Sequence, residues 1–197
     1  MNVTLGALER LRRFAQAMTP TASSVDLALP ATRALFEAAG GAFKLVGGIA
    51  VVHHGYLRTT QDIDVLVEAG TLARVASLAA GHGFVVETRT RLRHVASGVA
   101  VDLLVAGEHV PRPGSAPFPA PGLLEASPDD ERVVALAPLL ELKLHAHRYQ
   151  DLADVVALLK PLDDGRYLEI EAAIPPALRR ELADLRRDAM EEEALRR

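Results

Sequence analysis

Three aspartates lie in apolar segments whose patterns predict β-strands. Asp62 and Asp64 flank Ile63, and Asp102 interrupts the apolar run Val99–Val105. Because alternate side chains of a strand project from the same face, Asp62 and Asp64 would point together while Ile63 enters the core. Carboxylates in such surroundings are destabilised by desolvation and mutual repulsion unless cations compensate them. If the two strands are neighbours, the three acids form an all-oxygen site of the kind that Mg²⁺ prefers, which indicates metal-dependent phosphoryl transfer.

Each acid taken by itself also fits a structural role. Asp62 can cap the start of a strand, Asp64 can pair with an arginine such as Arg58, and Asp102 can be an exposed strand residue. In that case the three carboxylates do not converge, and the chain has no metal site at this place.

A glycine pair, Gly47-Gly48, precedes Asp62 by fourteen residues. The surrounding segment predicts a short strand that turns at the glycines into a helix ending near Gly55. Glycine lets the backbone approach a ligand closely, and the N-terminus of the following helix favours phosphate. A glycine pair alone usually marks only a turn. Its position before the acidic strand predicts a cradle for a triphosphate.

Together these features resemble the nucleotidyltransferase superfamily, whose signature is a strand, a Gly-Gly or Gly-Ser turn, a helix, an Asp-x-Asp strand and a third aspartate on a later strand. Leu139–Lys143 and Arg148–Val155 look like the C-terminal helices of its minimal bacterial branch, which includes the AbiEii-type toxins of toxin-antitoxin systems. The resemblance covers about residues 40–160. It implies an α/β (α+β) nucleotidyltransferase fold, with a small, mixed, mostly antiparallel sheet flanked by helices and a helical C-terminal part.

The implied activity is transfer of a nucleoside monophosphate from an NTP such as ATP to an acceptor hydroxyl, with pyrophosphate as the leaving group. The implied cofactors are two Mg²⁺ ions, which Mn²⁺ can replace. Asp62 and Asp64 would bind both ions, and Asp102 would bind one of them and help to take the acceptor's proton. The residues predicted to bind the nucleotide are Gly47, Gly48, Arg58, Lys143 and Asp154.

Lys143 lies in a predicted apolar helix, and in the toxin branch a lysine from this region helps to bind nucleotide phosphates. The alternative is a lysine that extends its ammonium group to solvent. Arg58 would contact phosphate or neutralise the aspartate pair. Asp151 and Asp154 share a helix face, so they can accept hydrogen bonds from Arg148, orient Lys143 or contact the acceptor. For Asp151 a solvated position is the expected one.

A second set of charges lies just before Asp102. Arg89, Arg91 and Arg93 would share one face of a strand, where they either guide a polynucleotide end or form a solvated edge strand. The Ser97-Gly98 turn predicts a hairpin that brings His94 toward Asp102. A structural role for His94 remains the alternative.

The composition limits the class of protein. The chain has 197 residues, 49% of them hydrophobic and 24% charged, with a formal net charge of −4, which predicts a soluble globular protein. Cysteine is absent, so thiolate metal sites, disulfides and cysteine nucleophiles are excluded. The paired histidines lack the four-residue spacing of zinc ligands. Short apolar stretches and the lack of a signal pattern predict a cytoplasmic protein without a membrane span.

Three regions are predicted. Residues 1–40 would form N-terminal helices at 4–18 and about 30–40, joined by a hinge at 19–24. Residues 41–125 would form the nucleotidyltransferase core, with a helix at 71–80 and strands near 43–46, 62–67, 84–88, 91–96 and 99–105. An irregular loop from Gly107 to Pro121 would be either a substrate-contacting element or a disordered lid. Residues 126–197 would form a helical C-terminal part packed on the core, with helices at 136–147, 151–160 and 175–197.

The acceptor stays open among RNA such as a tRNA 3′ end, protein, and a small molecule such as an antibiotic. The resemblance to toxins favours RNA or protein, and it implies a cognate antitoxin as a partner. The alternative class is a noncatalytic module that binds a nucleotide or a protein on the same scaffold.

Overall fold

The computed structural model describes residues 20–109 and 116–195, which form a mixed α/β fold. These residues contain seven α-helices and seven strands. The helices are α1 (Pro20–Ala39), α2 (Gly47–His53), α3 (Leu72–Leu78), α4 (Leu136–Ala146), α5 (Tyr149–Leu159), α6 (Asp164–Ala173) and α7 (Pro176–Ala194). The strands are β1 (Phe43–Leu45), β2 (Asp62–Val67), β3 (Phe84–Thr88), β4 (Arg91–His94), β5 (Ala100–Val105), β6 (Ala126–Ser127) and β7 (Asp130–Val134).

One sheet contains all seven strands in the order β3-β4-β5-β2-β1-β7-β6, so the prediction of a small sheet is wrong. Four neighbouring pairs are antiparallel. The other two, β2 with β5 and β1 with β7, are parallel. The strands β2 and β5 lie at the centre and supply core side chains such as Ile63, Val65 and Val101, none of them accessible to solvent. This burial explains their nearly continuous apolar sequences.

The region before the sheet differs from the prediction. A single helix, α1, runs from Pro20 to Ala39, so the hinge at 19–24 is wrong from residue 20 onward and Pro30 lies inside the helix. Proline suits the first turn of a helix at Pro20. A proline inside a helix usually kinks or breaks it, but α1 continues through Pro30 and buries Leu35 and Phe36 fully in the core. The predicted helix at 4–18 lies outside the described residues.

The region after the central strands begins with a hairpin that the helical prediction missed. Strands β6 and β7 pair with each other, and Leu45 of β1 lies opposite Val133 of β7 in the same sheet. Arg33 of α1 makes two hydrogen bonds to Asp130 and fixes the hairpin to that helix. Helix α6 was also missed. The three predicted C-terminal helices are confirmed as α4, α5 and α7, with ends shifted by a few residues.

The loop from Gly107 to Pro121 folds back on itself where it is described. The Gly107 N–H donates to the Phe118 carbonyl and the Phe118 N–H donates to the Glu108 carbonyl, both at 2.8 Å. These bonds bring Phe118 beside the candidate site. Within residues 20–109 and 116–195, none of the helices is both long and apolar enough to span a bilayer.

Candidate active site

The sheet brings the predicted acids together. Strands β2 and β5 are parallel neighbours, and Asp64 lies directly opposite Asp102, with Asp62 two residues earlier on the same face. We call these three residues the acidic cluster. The alternative in which the carboxylates do not converge is therefore wrong for Asp64 and Asp102.

The electrostatics of the acidic cluster confirm this proximity. Burial, together with repulsion from Asp62 and Asp102, raises the pKa of Asp64 to about 6. Burial also raises the pKa of Asp102, while the nearby Arg91 guanidinium opposes the rise. Both raised pKa values mean that the folded protein disfavours the ionised form of Asp64 and of Asp102.

The two glycines allow a close approach of the backbone to the acidic strand. Gly47 has φ +57°, and a Cβ at this position would lie 1.8 Å from Oδ2 of Asp64. A Cβ on Gly48 would lie 2.4 Å from Oγ1 of Thr60. The Val46 N–H also donates to the Asp64 carbonyl at 3.0 Å. Both positions therefore require glycine for steric reasons, and the turn packs directly against Asp64.

Lys143 is the centre of a buried network behind the cluster. Only 4% of Lys143 is exposed, and its Nζ donates to Asp151 at 3.1 Å and to Asp154 at 2.7 Å. The alternative of a lysine that reaches solvent is wrong, and so is the solvated position expected for Asp151, which is buried. Burial acts to raise the pKa of Asp151, but the Arg148 hydrogen bond and the Lys143 charge outweigh it and hold that pKa below its usual range.

Two arginines complete this lysine network. Arg58 donates from Nη2 to Asp154 at 3.0 Å, so it neutralises Asp154 and not the aspartate pair of β2 as one interpretation had it. Arg148 donates from Nε to Asp151 at 2.7 Å. The carboxylate of Asp154 is fully enclosed and also accepts from Gln150 at 2.9 Å. With three cations for two carboxylates, the network keeps one net positive charge.

A cavity of about 230 Å³ joins the acidic cluster to the lysine network. Its walls include Gly47, Asp64, Lys143, Arg148 and Phe118. We call it the lysine cavity. Of the predicted nucleotide-binding residues, Gly47 and Lys143 line this space. Asp154 does not line it but accepts a hydrogen bond from Lys143, and Arg58 pairs with Asp154.

Sequence reasoning missed Arg148 and Phe118 as residues of the site. Arg148 precedes α5, and Asp151 three residues later completes a capping box with it. That spacing was a usable signal for the orientation of Arg148. Phe118 had none, because only the folded loop brings it to the cavity.

His94 does not approach Asp102, so that prediction is wrong. In the β4–β5 register the residue opposite Asp102 is Arg91, whose Nε lies 3.5 Å from the carboxylate Oδ1. His94 is buried, packs against Phe84 and shares a 2.8 Å hydrogen bond between its Nδ1 and the hydroxyl of Ser97. The histidine therefore has the structural role.

The arginines near Asp102 are paired with acids. Arg93 bonds to Glu87 with two nitrogens, and Arg89 pairs with Glu108 at 2.6 Å. The three arginines therefore do not form a free basic patch, because each guanidinium already has a carboxylate partner. The alternative of an edge strand is also wrong, because β4 pairs with β3 on one side and with β5 on the other.

The acidic cluster supplies the donor set for a divalent cation without a preformed cage. Among the described residues, no group of three His, Cys, Asp or Glu side chains is arranged so that it could hold a metal ion. The donors are nonetheless all carboxylate oxygens, and burial together with the neighbouring negative charges raises the pKa of Asp64, a cost that a bound hard cation would offset. The residues therefore fit Mg²⁺ or Mn²⁺ chemically.

No protein-family model matches this sequence, and no curated protein shows significant similarity to it.

Proposed function

We propose that the protein is a metal-dependent nucleotidyltransferase that transfers an NMP from an NTP to an acceptor hydroxyl. The observation that carries this proposal is the meeting of Asp64 and Asp102 on parallel strands, against a glycine turn and beside a cavity that contains Lys143 and Arg148. Ionisation of these aspartates is costly in the fold, and bound divalent cations would offset that cost. The neighbouring lysine and arginine side chains favour phosphate, so the arrangement suits a triphosphate with its divalent cations.

The order of elements supports a nucleotidyltransferase fold. A strand, a Gly-Gly turn and a short helix lead to the Asp-x-Asp strand, and the third aspartate follows on the neighbouring strand. This is the arrangement that the resemblance to the superfamily implies.

In the proposed reaction, Asp62, Asp64 and Asp102 would hold two Mg²⁺ ions, which when bound neutralise the triphosphate and favour ionisation of the attacking hydroxyl. Lys143 and Arg148 bind phosphate oxygens in the lysine cavity, and Phe118 covers part of that cavity. Asp154 accepts a hydrogen bond from Nζ of Lys143 and fixes the position of the ammonium group. Asp102 lies at the acidic cluster's exposed side and accepts the acceptor's proton.

The toxin-antitoxin relationship is part of the proposal only through the resemblance of α4 and α5 to the toxin branch. It predicts a cognate antitoxin whose binding blocks transfer. Nothing in the chemistry of the acidic cluster depends on it.

The experiment is a transfer assay with purified protein, Mg²⁺ and each of the four α-labelled NTPs. Total RNA, cell-extract protein and small hydroxylated molecules are offered separately as acceptors. The matched control is an Asp62→Asn/Asp64→Asn variant, which preserves the shape of both side chains. We expect label on one acceptor class with the wild type alone. Equal labelling by both proteins, or none by either with every acceptor and NTP, would contradict the proposed activity.

A further inference from the structure

A second cavity lies on the other side of the glycine turn, between α1, α2 and the loop before β2. Its volume is about 600 Å³, within the range of small-molecule sites. Most of its wall is apolar, formed by Val25, Leu29, Ile49, Val52, Leu57 and Val133. We call it the helix cavity.

The helix cavity ends beside the acidic cluster. Thr60 lines the cavity, and its Oγ1 lies 3.4 Å from Oδ1 of Asp62. Arg58 lines the same wall and contacts Asp154 of the lysine network. A molecule bound in this cavity is therefore separated from the carboxylate of Asp62 by a single side chain.

The glycine turn divides the two cavities. Because Gly47 has no side chain, there is room beside it for Asp64, which borders the lysine cavity. In the same way, Gly48 leaves room for Thr60, which borders the helix cavity. A group-transfer enzyme must bring two substrates to one phosphorus atom from opposite directions. The cationic lysine cavity suits the triphosphate, which leaves the helix cavity for the second substrate.

The charges of the helix cavity define the chemistry of that substrate. Its two arginines are already neutralised, Arg33 by Asp130 and Arg58 by Asp154. Asp26 lies at the rim and has no ion-pair partner among residues 20–109 and 116–195. Among the described residues that line this cavity, a phosphodiester chain would find no unpaired arginine or lysine and one repelling carboxylate, whereas an amine would find a partner.

We propose that the helix cavity binds the acceptor, and that this acceptor is a small hydroxyl-bearing molecule with an apolar body and a positive charge. The inference rests on the proposed function. The hydroxyl oxygen of the acceptor forms a bond to the α-phosphorus of the NTP, and the bond from that phosphorus to the bridging oxygen of the β-phosphate breaks. Pyrophosphate leaves, and the hydroxyl proton passes to a carboxylate of the acidic cluster and then to water.

The first test is equilibrium binding to the full chain. The probes are lincomycin, propranolol and quinine, each of which combines a hydroxyl, an apolar body and a basic amine. Leu29→Trp and, from the facing helix, Val52→Trp fill the cavity without touching the glycine turn, and Leu168→Trp adds the same ring to an exposed site on α6. We expect at least one probe to bind, with affinity reduced at least about tenfold by either cavity variant and unchanged by Leu168→Trp.

The second test is charge reversal with Asp26→Lys in the transfer assay. If the acceptor is cationic, Asp26→Lys should lower kcat/KM for the acceptor and leave the NTP affinity as in the wild type. Label that appears on RNA and increases in Asp26→Lys would overturn the proposal, and so would the failure of all three probes to bind. Acid-dependent transfer that neither tryptophan variant changes would overturn the acceptor site while leaving the nucleotidyltransferase activity intact. Probe binding without any acid-dependent transfer would overturn both proposals.

Discussion

At the scale of single residues, Asp64 has the clearest electrostatic cost in the acidic cluster. Its carbonyl accepts from the N–H of Val46, the residue after β1, and its backbone pairs with β5, so the side chain cannot move away from Gly47 and Asp102 without breaking the sheet. The carboxylate is therefore held where ionisation is disfavoured. Such a cost is common at functional sites, because the charge is compensated only when ligand is bound.

We expect Asp64→Asn to stabilise the metal-free protein while it abolishes transfer. The pKa of Asp64 is raised to about 6, so the folded state holds this proton more tightly than the unfolded chain does. The contribution of Asp64 to wild-type stability should therefore be most favourable below about pH 4 and become less favourable, by on the order of 2 kcal/mol, as the pH rises to about 6. Urea unfolding in EDTA between pH 4 and 7 measures the effect.

The matched control is Asp184→Asn on α7. This exposed side chain pairs with Arg187, and loss of its charge should change stability by less than about 1 kcal/mol at every pH. If the free energy of unfolding of Asp64→Asn has the same pH dependence as that of the wild type, ionisation of Asp64 does not have the proposed cost in the folded state.

At the scale of elements, the conformation of the turn between β1 and α2 depends on the Asp64 side chain that packs against it. Gly47 and Gly40 both have positive φ, at +57° and +68°, but their surroundings differ. A Cβ on Gly40 meets nothing within 4 Å, whereas a Cβ on Gly47 would overlap the Asp64 carboxylate. A comparison of alanine substitutions at the two positions therefore distinguishes the cost of a left-handed backbone from the cost of a steric clash with Asp64.

We expect Gly47→Ala to lower both stability and transfer, and Gly40→Ala to lower stability alone. The left-handed conformation costs alanine about 1–2 kcal/mol at either site. At Gly47 the displaced Asp64 adds a further loss and disturbs the acidic cluster. Thermal unfolding and the transfer assay on both variants give the comparison. Equal effects of the two substitutions on transfer would show that the close contact with Asp64 is unimportant.

At the scale of the whole molecule, the lysine network joins parts of the chain that are distant in sequence. Lys143 comes from α4, its two carboxylate partners from α5, and Arg58 from the loop before β2. Because a buried charge that loses its partner is costly, these contacts hold the C-terminal helices in one position over the sheet. The lysine cavity exists only while that position is kept.

We expect Lys143→Met to reduce both NTP affinity and stability. Arg58 and Arg148 still neutralise the two carboxylates in this variant, so the loss of stability should be about 3 kcal/mol or less. Lys160→Met removes a lysine that pairs with the exposed Glu192, and should cost less than about 1 kcal/mol with no change in NTP affinity. Calorimetric NTP binding and urea unfolding measure both quantities. An unchanged NTP affinity in Lys143→Met would remove this residue from the proposed site.

The sequence by itself determined the central strands and the residues of the acidic cluster, because both depend on local patterns. Alternation places Asp62 and Asp64 on one face, and long apolar runs mark the strands that are buried on both sides. The helices α4, α5 and α7 also follow from local periodicity. The β6–β7 hairpin was missed although Pro128-Asp129 marks its turn, because β7 begins with the charged residues Asp130, Glu131 and Arg132.

The tertiary structure decided which charges meet. Local sequence cannot show that β5 lies parallel to β2 in the register that faces Asp64 with Asp102, or that β4 places Arg91 and not His94 beside the acid. Burial of Lys143 depends on the packing of α4 against α5, and the helix cavity depends on α1 continuing through Pro30. These features arise from long-range packing free energy, which overrides local preference wherever enough apolar surface is buried.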